Sequence, residues 1–129
     1  MTSALRTGIY NAALTVTGLS TTNLAFEQMI HGKTGTYVVF FGITNPLSWD
    51  SASKFELDYV QFKIYGTSLS DIETKLAAIQ AKFDFGEANI TVSGWTVISC
   101  LRTMTVPPRL TEGVWETDVE YKIETQKAR

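Results

Sequence analysis

The segment His31-Gly32-Lys33-Thr34-Gly35 ends like a phosphate-binding loop, in which backbone amides and a lysine ammonium cradle phosphate oxygens. The earlier glycine such a loop requires is replaced by Glu27, and the segment precedes a strand-like run instead of a helix. Nucleotide binding is therefore not expected. Asp50, Gln61 and Lys63 come nearest to a magnesium-dependent nuclease, where an acid and a Gln-x-Lys pair on a neighbouring strand would hold a metal ion and a water. The same pair is equally the polar face of an ordinary strand. His31 and Cys100 are the single residues of their kinds, so a Cys-His nucleophile would need the fold to join them. Cys100, within a strand-like run, reads as a small buried hydrophobe, and His31, beside Gly32, as a solvated loop residue. No Gly-x-Ser-x-Gly turn accompanies either. One cysteine also excludes an internal disulfide and a cysteine-rich zinc site. The expectation is a protein without catalysis, bound metal or cofactor.

Charge points the same way. Eleven Lys and Arg against 13 Asp and Glu give a formal net charge of −2, whereas a nucleic-acid binder needs a basic surplus to displace counterions from phosphates. The acids are unevenly placed. Glu116, Asp118, Glu120 and Glu124 fall on one face of an alternating run whose other face holds Trp115, Val119, Tyr121 and Ile123. Like charges on one strand face repel and call for water or cations around them. Such a row is either an ordinary solvated face or a surface that must not stick to a polyanion.

The chain has 129 residues, 44% hydrophobic and 19% charged, which suits one domain with its own core. The first thirty residues lack a basic start followed by an apolar run, and stretches such as Val38-Val39-Phe40-Phe41 are far below the roughly 20 residues a membrane helix needs. A soluble protein is expected. Leu5, Ile9, Ala12, Ala13 and Val16 recur at helical spacing, with Ser3 as cap and Gly18 as stop. From Leu19 to Gly35 the pattern is irregular and reads as a long, partly packed loop. Thr36 to Ile43 is β-branched and aromatic, hence a strand, stopped by Asn45-Pro46.

A second strand, Lys54 to Tyr65, changes phase. Phe55, Leu57 and Tyr59 share one face, then Val60, Phe62 and Ile64 share the other. The switch means a bulge, or a strand burying opposite faces in its two halves. In the second case the outer half needs a cover, such as another subunit. Leu69, Ile72, Leu76, Ile79 and Phe83 mark a helix from Ser68 to Phe83, opened by a capping box and closed by Asp84-Phe-Gly86. Ile90 to Val106 is strand-like with an interruption at Gly94, Pro107-Pro108 reads as a firm break, and Val114 to Thr125 is a half-buried antiparallel strand. The fold class expected is α+β, with an antiparallel sheet of about four strands and two helices packed on one face.

In this order of elements the sequence resembles the tail terminator, or tail completion, proteins of long-tailed bacteriophages. The resemblance rests on the N-terminal helix, the loop into Thr36-Tyr-Val-Val-Phe, the turn at Trp49 and the strand Tyr59-Val-Gln-Phe-Lys-Ile-Tyr65. It continues through the helix Asp71-Ile-Glu-Thr-Lys-Leu-Ala-Ala-Ile79 and the strand Gly113 to Ile123. It covers nearly the whole chain as a likeness of order and pattern. It implies a structural virion protein, assembled in the host cytoplasm as a homo-hexameric ring that caps the tail tube, joins the tail to the head connector and leaves a lumen for DNA. The partners implied are further copies of the chain, the tail tube protein and the head connector protein, with no membrane. Within that resemblance Trp49, Phe55, Leu57 and Tyr59 are expected at the subunit interface, and Glu116, Asp118, Glu120 and Glu124 facing the lumen. The alternatives are another head-tail connector component, a generic α+β protein-interaction module and, third, the magnesium-dependent nuclease.

Overall fold

The computed structural model describes residues 1–27, 35–44 and 55–127. Helix α1 (Ser3–Leu14) is capped by Thr2, not Ser3: the Thr2 hydroxyl accepts the Leu5 amide at 3.1 Å. The helix ends four residues before Gly18. Val16 and Leu19 are still buried beyond its end, so apolar spacing outlasts the helix and made it look longer in sequence. Strand β1 (Leu24–Phe26) lies where a loop was expected; it pairs in parallel with β2 (Tyr37–Thr44). Strand β3 (Phe55–Gly66) follows, then α2 (Leu69–Phe83), whose Ser68 cap accepts the Asp71 amide.

After a 3-10 turn at Glu87–Asn89 come β4 (Trp95–Thr111) and β5 (Val114–Lys127), joined by a two-residue turn with positive φ at both Glu112 and Gly113. That backbone matches the twist of a hairpin. Gly94, with φ +80, turns the chain just before β4 begins at Trp95, and the interruption expected there is this turn.

The sheet has five strands, not four, in the order β1-β2-β3-β5-β4, and every pairing except β1 with β2 is antiparallel. Pro107-Pro108 does not end β4. The strand runs through it at the cost of a register shift between Val106 and Arg109, which its edge position tolerates because a missing proline N–H takes no ladder bond from a second neighbour.

One core lies between the two helices and one face of the sheet. Leu5, Ile9, Ala12 and Ala13 of α1 and Ile72, Ile79 and Phe83 of α2 meet Val38, Phe40, Val60, Phe62, Ile64, Cys100, Val119, Tyr121 and Ile123. Phe62, Phe83 and Tyr121 form its centre, with ring centroids 4.8–6.1 Å apart. This is the α+β architecture expected, with helices packed against the sheet.

Candidate functional site

Strand alternation leaves β3 and β5 with a second face that carries neither helix. In β3 that face holds Phe55, Leu57, Tyr59, Gln61, Lys63 and Tyr65, while Asp58, Val60, Phe62, Ile64 and Gly66 are buried on the helix side. Pairing between β3 and β5 is unbroken from Phe55–Gln126 to Gly66–Trp115, so the change of phase in β3 contains no bulge against β5. Nor does the strand bury opposite faces in its two halves within the chain: the buried side is the same from Asp58 to Gly66, and Phe55, Leu57 and Tyr59 stay half-buried on the other. The irregularity sits in β2, where the register shifts between Gly42 and Thr44.

The inversion places two acids on the helix side of β3. Asp58 is buried and lies 3.3 Å from the Met1 amino group, while one Glu56 carboxylate oxygen is buried without a hydrogen-bond partner. Burial pushes the Asp58 carboxyl above its ordinary value, and the neighbouring ammonium only partly offsets this.

The acidic row of β5 lies on the helix-free face as its spacing requires. It is not simply solvated. Asp118 is 4% exposed, with its carboxylate 3.9 Å from the Lys63 ammonium and 3.9 Å from the Arg109 guanidinium. Burial raises the Asp118 carboxyl above the usual carboxylate value against the pull of Lys63 and Arg109. Glu116 accepts a hydrogen bond from Arg109 Nε, Glu120 accepts one from Thr103 Oγ1 at 2.9 Å, and Glu124 lies 4.0 Å from the Lys122 ammonium. The row is interleaved with cations from β3, β4 and β5.

The expected interface and the expected lumen residues prove to be neighbours on this face. Leu57 is paired with Glu124, Tyr59 with Lys122, Gln61 with Glu120, Lys63 with Asp118 and Tyr65 with Glu116. Tyr37 and Tyr65 stack beside them at 5.0 Å. The result is one surface, aromatic toward β2 and β3 and charged along β5.

The other candidate residues do not gather. His31, Lys33, Trp49 and Asp50 lie outside the described residues. Of the nuclease set, Gln61 and Lys63 are on the helix-free face, with Lys63 turned to Asp118. Cys100 is fully buried, and burial pushes its thiol up to about 12, the opposite of an activated nucleophile. Among the described residues no three His, Cys, Asp or Glu side chains are grouped so as to hold a metal ion.

Sequence reasoning passed over one residue. Phe85, read only as part of a helix stop, is 78% exposed and has a φ of +50. Beside it Asp84 accepts the Tyr121 hydroxyl at 2.7 Å and lies 3.4 Å from Arg102. An aromatic between an acid and a glycine at a helix end is the signal that could have found it, since glycine would be the ordinary residue for such a backbone.

An open, mostly antiparallel sheet with both helices on one face thus presents its other face for contact. A chain described as "Virion of native gene transfer agent (GTA) particle" has the same fold: the TM-score is 0.70 over 97% of this chain and 99% of that one, at 9% sequence identity. No family model and no curated protein matches the sequence.

Proposed function

We propose that the chain is a structural component of a phage-like particle and, more finely, a tail terminator that forms a ring on the tail tube and joins it to the head connector. The observation that carries this reading is the end-to-end likeness to a chain of a virion, in which neither protein has a large part the other lacks. The helix-free face adds support, because a sheet with aromatic residues on both sides needs a second cover. In the ring, Phe55, Leu57 and Tyr59, with Trp49, form the seam between subunits, and Glu116, Asp118, Glu120 and Glu124 face the lumen. Because seam and lumen residues share one face, the seam takes the β3 end of that face and the lumen takes β5, with Glu124, paired with Leu57, at the border where the two meet. No catalytic role is proposed: Lys63 serves as a partner for Asp118, and Cys100 as core.

Sedimentation of the purified chain at high concentration tests this. A closed ring is expected, six copies being the anticipated number, and Phe55→Asp should leave a folded monomer. A wild-type chain that stays monomeric and does not bind tail tubes overturns the reading. A Phe55→Asp chain that still assembles overturns the seam.

A further inference from the structure

A ring built from identical chains meets head to tail, so each copy must carry two different surfaces that fit one another. The sheet face at Phe55, Leu57 and Tyr59 supplies one. The second must lie elsewhere on the chain and hold something to fill an apolar site.

Phe85 meets that description. It is the most exposed large apolar side chain among the described residues, and its backbone is in the left-handed region, which glycine and asparagine accept and a bulky side chain disfavours. The surroundings fix it there. The Asp84 amide bonds the Gln80 carbonyl at 2.8 Å, and the Gly86 amide bonds the Phe83 carbonyl at 3.0 Å. A Cβ on Gly86 would stand 2.3 Å from the Lys82 carbonyl oxygen, so the chain cannot shift the glycine's role by one residue. Leu101, 39% exposed, and Arg102 join Phe85 around a cleft of about 380 Å³. Arg102 is oriented by Asp84 and keeps 41% of its side chain exposed. A strained, solvent-facing phenylalanine beside a fixed guanidinium has the make-up of an anchor for a protein contact.

The sheet face offers the complement. Leu57 and Tyr59 are half-buried there, and Glu124, directly opposite Leu57, is paired among the described residues with Lys122 at 4.0 Å and keeps 41% of its side chain exposed. Its carboxylate can accept the free guanidinium donors. We infer that Phe85, flanked by Leu101 and Arg102, docks on the Leu57–Tyr59 patch of the next copy, with Arg102 directed to that copy's Glu124. The inference rests on the ring reading above and names the other half of its seam.

The test uses Phe85→Asn, because asparagine accepts a positive φ and the variant should be at least as heat-resistant as the wild type. By sedimentation its assembly should need roughly 30-fold more protein, the loss expected of a contact hot spot. Mixing a Phe85→Cys chain with a Leu57→Cys chain should then give an oxidised crosslink between the two, and neither chain alone should do so. If Phe85→Asn assembles at the wild-type concentration, the anchor is overturned and the ring stands. If the two cysteine chains do not crosslink while Phe85→Cys crosslinks to itself, the contact is symmetric and the head-to-tail docking is overturned. If the wild type never assembles, the ring reading fails and this inference fails with it.

Discussion

Two buried carboxylates contribute to the chain's pH dependence with an unusual sign. Burial raises Asp58 and Asp118 above the ordinary carboxylate value of 3.8, so each holds its proton more tightly in the folded chain than in the unfolded one. Their contribution to stability is fully present below that value and is lost as pH rises through the raised folded-state values, leaving the charged forms a burden at neutral pH. Asp118→Asn keeps the shape and gives up the pairs with Lys63 and Arg109 at 3.9 Å, so between pH 4 and pH 7 the urea midpoint of this variant should fall less, or rise more, than the wild type's. Parallel slopes would mean that Asp118 does not titrate in that range. The position of Asp118 on the face of β5 was legible from period-two spacing. Its burial was not, because Lys63 comes from β3 and Arg109 from β4, and nothing local to β5 announces them. Phe85 was illegible for a different reason: a stop signal names the end of a helix without saying which side chain the turn holds out.

The elements follow the same division. Helix α2 and strands β2, β3 and β5 were readable because each repeats its period long enough to be counted. Three residues of β1 contain no period, and the strand exists because β2 leaves an edge for it. Strand β4 was read in pieces since register shifts after Val97, Arg102 and Val106 each reset its alternation. Packing of α1 also hides from sequence at Gly8, which looks like a weak point in a helix. A Cβ there would lie 2.5 Å from the Thr91 carbonyl oxygen, so the glycine lets the helix touch backbone. Gly8→Ala should therefore destabilise by about 1–3 kcal/mol through overpacking, despite a gain of up to about 1 kcal/mol in helix propensity. Urea unfolding would read the sign directly. A stabilised Gly8→Ala chain would mean that the segment at Thr91 yields.

For the whole molecule, the charge pattern of the helix-free face decides how a passing polyanion would be treated. Three cations, Lys63, Arg109 and Lys122, stand among four carboxylates, so a lumen built from this face is close to neutral with a slight negative excess. Such a lumen would repel DNA weakly and hold none of it. Glu120→Lys would reverse that excess without touching buried Asp118 or Glu124 at the seam. Rings of this variant should form and retain DNA at low salt, releasing it as salt screens the new charges. Rings that pass DNA as freely as the wild type would remove β5 from the lumen.

The outermost strand has a further consequence for how the chain behaves in a crowded solution. Its three irregularities and paired prolines leave no long, flat run of backbone on which a stray strand could stack. Newly made copies are therefore expected not to pair backbone to backbone along β4, and a contact made at that edge is one of side chains, which can let go and try again until the register is right.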